Sequence, residues 1–218
     1  YAHVPWVSKI QKQLEKEGLP ASDEKVKMYE VAYSLMTQNG YEAIGMDHYA
    51  LNNDELSLAR RNRQLHRNFQ GYCTRRTTGQ VYAFGVTGIS QLEGVYAQNT
   101  KSIDEYIELI NKGELTTIKG YALTSDQIVV REVITELMCN EQIVWVDLGR
   151  ILGMTADQVK SHTTYNSELL QQFSIDRIIS LSDEKIQITS EGQLFIRNVA
   201  ASFDPLLKSG QTNFSKPV

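Results

Sequence analysis

The chain has 218 residues, 41% of them hydrophobic and 22% charged, with a formal net charge of −4. Those values suit a globular protein with a sizeable core and exclude a disordered or strongly basic nucleic-acid-binding chain. No apolar run reaches the ~18 residues of a membrane span, and no secretory pattern is present, so a cytoplasmic protein without a membrane partner is expected. Cys73 and Cys139 are the two cysteines. They form no C-x-x-C pair, which argues against a metal site made by this chain alone.

Tyr1 opens "YAHVP", which reads as the middle of a strand, so the chain is expected to be the C-terminal piece of a longer polypeptide. Ser22-Asp23-Glu24 is a helix start with acids in the first turn. Val26, Tyr29, Val31 and Leu35 then recur at helical spacing as far as Asn39-Gly40. A buried strand is predicted over 41–46. Asp54 begins a second helix, predicted to carry Arg60, Arg63 and Arg67 on one face. "FQGYCT" and "VYAFGVTGIS" read as extended. Helix, strand, helix, strand in this order predicts βα units on a parallel sheet, with ligands at the strands' C-terminal ends.

A helix from Ser102 to Ile110 follows. Beyond "ELTTIKGYAL" the composition shifts, and Thr124-x-x-Gln127 is a capping box ahead of a helix to about Cys139. Further helices are predicted over 147–153 and 155–173, then a hairpin through "IISLSDEKIQIT", then a helix capped by Ser190-x-x-Gln193. This pattern resembles a winged-helix module. The predicted divisions are 1–115, 116–208 and a flexible tail, 209–218.

Three features bear on chemistry. Asp47-His48, where the 41–46 strand ends, is either a carboxylate-oriented imidazole or a polar turn. Residues 60–76 hold Arg60, Arg61, Arg63, Arg67, Arg75 and Arg76 with no acid, on a chain that is acidic overall. Such an island suits a local anionic ligand, because the planar guanidinium pairs with carboxylate or phosphate through two hydrogen bonds; the alternative is a solvated surface. Gly85 and Gly88 in "GVTGIS" would admit close backbone approach to a cofactor, although the segment is no G-x-G-x-x-G fingerprint. His3, His66 and His162 show no metal-ligand spacing.

"YAHVP", "GYEAIGMDHYAL", "DELSLARRNRQLHRNFQGYCT", "GVTGIS" and "YAQN", followed by "LTSDQIVVREVITELMCN", "ITSEGQLFIRNVAASFD" and "FSKPV", resemble in order the C-terminal half of the oxygen-independent coproporphyrinogen III oxidases. The haem-chaperone-like sister group typically carries E-x-S-N-[YF]-A where this chain has Gly45-Met46-Asp47-His48-Tyr49-Ala50. The resemblance therefore favours the oxidase over a haem-binding and transfer protein.

The resemblance implies the closing part of a partial (βα)6 TIM-like barrel joined to a mostly helical, winged-helix-like C-terminal domain. It implies radical S-adenosylmethionine chemistry with a [4Fe–4S] cluster and an electron donor, converting two propionates of coproporphyrinogen III to vinyl groups to give protoporphyrinogen IX. The cluster cysteines are absent from these 218 residues, so this segment alone is expected to be inactive and to hold neither cofactor stably. Ala2 and Ile89 match family contacts to S-adenosylmethionine. Asp47, His48, Arg60, Arg63 and Arg67 are assigned to substrate carboxylates from charge alone. No nucleic-acid partner is expected, because Asp183 and Glu184 on the hairpin would repel phosphate.

Overall fold

The computed structural model describes residues 4–6, 9–74 and 80–209. A 3-10 turn (Lys9–Gln11) leads into α1 (Lys12–Glu17) and the long α2 (Ser22–Gln38). Then come β1 (Tyr41–Gly45), β2 (His48–Leu51), α3 (Glu55–Arg61), β3 (Leu65–Arg67), β4 (Tyr72–Thr74), β5 (Ile89–Gln91), β6 (Val95–Asn99), α4 (Ile103–Asn111) and β7 (Thr117–Ala122). The second part holds α5 (Ser125–Asn140), β8 (Gln142–Val144), α6 (Trp145–Leu152), α7 (Ala156–Ser161), α8 (Ser167–Ile175), β9 (Ile179–Leu181), β10 (Lys185–Ile188) and α9 (Ile196–Ala201).

The chain is α/β, but its sheets are small and every strand pairing among the described residues is antiparallel. This corrects the parallel-sheet expectation for these segments. β1 and β2 are joined only by Met46-Asp47, with Met46 in the left-handed region at φ 53°. A two-residue link forces a hairpin, because a parallel partner needs a crossover of about a dozen residues. β3 and β4 likewise form a hairpin, pairing Leu65 with Thr74 and Arg67 with Tyr72. β5, β6 and β7 form one sheet in that order, and β8, β10 and β9 another. β7 lies past residue 115 yet pairs along β6.

Several helix boundaries also differ from the sequence reading. Ala21, not Ser22, is the residue before α2. Asp54 caps α3 by accepting from the Leu56 N–H, but the helix stops at Arg61. The predicted helix over 155–173 is two helices. Thr155 and Gln158 form a capping box for α7, and Asn166 starts α8 afresh by accepting from the Leu169 N–H. Ser190 caps nothing; a 3-10 turn at Gln193–Phe195 leads into α9. The hairpin at β9–β10 and the capping box of α5 stand where the sequence placed them.

The main core lies in the second part. Val133, Leu137, Ile143, Trp145, Val159, Ile186, Val199 and Phe203 are buried together. A smaller cluster of Ile44, Ala50, Ala59, Leu65, Tyr72 and Cys139 joins the hairpins to α5. α2 and α4 bury no residue, and Val31, Leu35, Ile103 and Ile107 stand exposed.

α5 is the pivot because it is apolar on more than one face, the mark of a buried helix. Val129, Val133 and Leu137, four apart, face the main core. Val130, Ile134 and Met138, also four apart, border a cleft, while Met138 belongs to the main core as well and Ile134 packs against it. Cys139 meets the smaller cluster.

Tyr72 ties that cluster together. Its hydroxyl donates to the Met138 carbonyl at 2.9 Å, and its ring meets His48 edge-on with centroids 5.2 Å apart. Two glycines make the fit: a Cβ on Gly45 would lie 2.4 Å from the Tyr72 hydroxyl, and one on Gly71 would lie 2.4 Å from His48 Nε2.

Two stability predictions follow from this packing. A Cβ on Gly192 would lie 1.9 Å from the Ile178 carbonyl oxygen, a backbone atom that cannot swing away. Gly192→Ala should cost about 3 kcal/mol through overpacking, read as a shift of the urea midpoint; an unchanged midpoint would contradict the packing. Burial pushes the Tyr72 and Tyr29 hydroxyls up to about 12, with Arg67 opposing the shift at Tyr72. Both are raised above the unfolded value, so their contribution is complete below about pH 10 and is lost as pH rises towards the folded values. The thermal midpoint should fall between about pH 10 and 12, and less steeply in Tyr72→Phe.

Candidate functional site

Between the β5–β6–β7 sheet and α5 lies a cleft of about 560 Å³, within the usual range for small-molecule sites. Ile89, Gln91, Tyr96 and Tyr121 line the sheet side. Val130, Arg131, Ile134 and Met138 line the helix side, with Pro205 and Leu206 at one rim and Arg67, Asn68 and Phe69 at another. The walls are mainly apolar, with a few polar groups set into them.

Each polar group is held from behind. Arg67, the last residue of β3, stacks over the Tyr72 ring with its guanidinium carbon 5.1 Å from the centroid. The turn after it is closed by Asn68, whose side-chain oxygen accepts the N–H groups of Gln70 (2.9 Å) and Gly71 (3.1 Å). Gln91 contacts the buried His66 ring, Nε2 to Nε2 at 3.3 Å. Gln127 donates from its amide to the Tyr121 hydroxyl at 2.7 Å. Arg131 holds Glu132 at 3.0 Å and reaches the Leu92 carbonyl at 3.4 Å.

"GVTGIS" is a turn rather than an extended segment until it reaches Ile89. Gly85 and Thr87 take positive φ of 89° and 62°. The Gly85 carbonyl accepts from the Asn99 amide at 2.9 Å, and its N–H donates to the Tyr106 hydroxyl at 2.9 Å. Asn99, the last residue of "YAQN", thus pins the loop that delivers Ile89 to the cleft. The two motifs are one structural unit.

The expected site residues do not all meet. Ile89 and Arg67 both line the cleft. Asp47 and His48 do not: they sit at the β1–β2 turn, Nδ1 to Oδ1 at 2.9 Å, with the Asp47 side chain 83% exposed. His48 touches the site only through Tyr72, whose ring also carries Arg67. Arg60 is committed to Glu141 at 2.9 Å. Arg63 is exposed in a left-handed turn, φ 54°, with no ion pair among the described residues. Arg60, Arg63 and Arg67 therefore share no helical face; the helix ends before the last two. Ala2, Arg75 and Arg76 lie outside the described residues.

Arg131 and the aromatic pair Tyr96 and Tyr121 escaped the sequence reading. Arg131 did leave a signal, as the one cation within α5, among valines whose spacing puts it beside a buried face. Nothing in sequence separated the two tyrosines from ordinary strand residues.

A four-iron cluster does not fit this chain. Such clusters are held by three or four thiolates, and the chain has two cysteines. Burial pushes the Cys73 thiol up, away from the thiolate form, and Cys139 is buried in α5. Among the described residues no three His, Cys, Asp or Glu side chains are grouped to hold a metal ion, and no helix is long and apolar enough to cross a membrane.

No protein-family model matches the chain. Individual relatives do. The oxygen-independent coproporphyrinogen III oxidase of Synechocystis is 34% identical over 221 residues, covering 100% of this chain and 47% of that protein. The Escherichia coli protein of the same name is 32% identical over 220 residues, again at 100% and 47% coverage. That of Thermostichus vulcanus is 35% identical, with 66% of its length covered. Among solved structures, coproporphyrinogen III oxidase from Escherichia coli, described as a radical SAM enzyme, superimposes with a TM-score of 0.82 at 33% identity, covering 95% of this chain and 47% of that one. The chain spans about half the length of most of the relatives it matches. On identity along the whole of this chain and shared fold together, it belongs to the oxygen-independent coproporphyrinogen III oxidase family.

Proposed function

We propose that the chain is the C-terminal portion of an oxygen-independent coproporphyrinogen III oxidase, and that its cleft forms one wall of the chamber where the tetrapyrrole is held. The observation that carries this is the meeting of Ile89 and Arg67 in one mainly apolar cleft. The first matches a family contact to S-adenosylmethionine, and the second is a cation suited to a propionate.

The reaction is oxidative decarboxylation of two propionates of coproporphyrinogen III to vinyl groups, giving protoporphyrinogen IX in a cytoplasmic pathway. Radical S-adenosylmethionine chemistry, with a [4Fe–4S] cluster and an external electron donor, would supply the oxidation. The cluster belongs to cysteines this chain does not contain, so the segment by itself is not catalytic. Its own residues bind and shield. Arg67, backed by the Tyr72 ring, offers its outer N–H groups to a carboxylate, and such charge-assisted bonds strengthen where water is excluded. Ile89, Tyr96, Ile134 and Met138 give the macrocycle an apolar surface and keep solvent from it. Ala2 and Ile89 would meet S-adenosylmethionine through backbone and apolar contact.

Only the family resemblance assigns residues 1–115 to the closing segments of a partial (βα)6 barrel, since their described strand pairings are antiparallel. Residues 116–208 read as a winged-helix-like unit, supported by the strand order β8-β10-β9 behind α5 to α8. That unit is not a nucleic-acid reader, since Asp183 and Glu184 stand at the tip of its hairpin. His48 supports Tyr72 by its ring contact, and Asp47 holds the His48 Nδ1; neither acts as a substrate ligand.

Replacing the matching half of the Escherichia coli oxidase with this chain should give an enzyme that converts coproporphyrinogen III anaerobically. A folded chimera that cleaves S-adenosylmethionine but forms no vinyl product would overturn the reading. Within an active chimera, Arg67→Ala should raise KM by about one to two decades, the equivalent of one charged hydrogen bond. Arg67→Lys should recover only part of that. Arg63→Ala should leave KM unchanged. Arg60→Ala should instead lower stability by about 1 kcal/mol, the scale of a partly exposed ion pair. An unchanged KM in Arg67→Ala would remove the carboxylate role.

A further inference from the structure

The cleft carries a second guanidinium that the family resemblance does not assign. Arg131 projects from α5, one turn before Thr135, on the wall that also presents Val130 and Ile134. Its side chain is 16% exposed, so the charge sits largely out of water, where an arginine needs partners. Nε and one terminal nitrogen both contact Glu132 Oε1, at 3.1 and 3.0 Å, and the other terminal nitrogen reaches the Leu92 carbonyl at 3.4 Å. Guanidinium has five N–H donors. These contacts use three, which leaves two uncommitted among the described residues.

Arg67 stands on a different element bordering the same cleft, held by Tyr72 and with no carboxylate partner among the described residues. The surface shared by the two arginines is apolar, built from Ile89, Tyr96, Leu123, Ile134 and Met138. The one acid among the described residues that border the cleft, Asp204, already accepts the Leu206 N–H at 2.9 Å at the rim. Two fixed cations bordering one apolar surface suit a flat apolar body with carboxylates at its edge, and suit a monoanion or a neutral ligand poorly.

We propose that Arg131 is a second carboxylate-binding residue of the cleft, holding one acid side chain of the tetrapyrrole while Arg67 holds another. Substrate grip is then divided between the β3–β4 hairpin and α5. Glu132 fixes the guanidinium plane and leaves its remaining N–H edge for the ligand. The inference rests on the reading of the cleft as the tetrapyrrole site, and the experiment separates the two.

The probe is coproporphyrin III, the fluorescent oxidised tetra-acid, titrated against this chain in parallel with its tetra-amide. Unsubstituted chain should bind the tetra-acid more tightly than the tetra-amide. Arg131→Ala should weaken the tetra-acid at least about tenfold, as for one charged hydrogen bond, and leave the tetra-amide within about twofold on the same scale. Arg131→Lys should restore binding in part, since the ammonium keeps the charge but loses the fork. If Arg131→Ala weakens both ligands equally, the residue acts by packing; if it weakens neither, it only ties α5 to the Leu92 carbonyl; either result overturns the proposal. If neither the unsubstituted chain nor the active chimera binds either ligand, the tetrapyrrole reading of the cleft falls and takes this inference with it. Thermal midpoints of each variant distinguish lost binding from lost folding.

Discussion

Much of the first half of this chain is organised around one buried phenol. Tyr72 hydrogen-bonds the Met138 carbonyl, fills the space left by Gly45, receives the edge of His48 and supports the Arg67 guanidinium. Each contact reaches a different piece of structure: α5, the first hairpin, its turn, and the cleft. A buried hydroxyl without a partner would cost about 1–3 kcal/mol, so the hairpins must dock where that carbonyl is offered. The Met138 carbonyl is available because α5 ends two residues later, at Asn140, and the last carbonyls of a helix have no partner within it. The position of the helix end therefore sets the position of the hairpins.

α5 carries that constraint into the second half. Its three apolar directions serve the main core, the smaller cluster and the cleft. A helix with one apolar stripe could serve only one of these. The capping box at Thr124 and Gln127 fixes where it begins, and Gln127 also reaches Tyr121 across the cleft. Helix start, sheet edge and cleft rim thus share one side chain. Glu141, in the left-handed conformation just after the helix, pairs with Arg60 from 81 residues earlier. The ion pair joins α3 to the end of α5 but contributes nothing to the cleft.

The arginine island illustrates how charge and geometry separate. Arg60, Arg63 and Arg67 looked equivalent by spacing, yet the first entered an ion pair, the second stayed in solvent and the third reached the cleft. The helix that would have aligned them ends at Arg61 because Asn62 and Arg63 leave the helical region, Arg63 with positive φ. Asp47 and His48 followed a similar course. They do sit at the end of a strand, but a two-residue link turns the chain back on itself there, and a hairpin tip points outward where a parallel strand end would point into a cavity.

What the sequence determined by itself was local and compositional. Capping residues at Thr124, Asp54 and Ser102 set helix starts, the alternation around Asp183 set a hairpin, and two cysteines excluded a cluster held by this chain. The ordered motifs carried the resemblance, and in the structure the Asn99 side chain of one motif holds the Gly85 carbonyl of another. Only the tertiary structure decided the sheet pairing and which cation faces the cleft, since both depend on contacts between residues far apart in the chain. Arg67 and Arg131 are 64 positions apart in sequence and meet at one cleft because β3 packs on α5. No periodicity along the chain encodes that contact; it comes from burying Tyr72 against the end of α5.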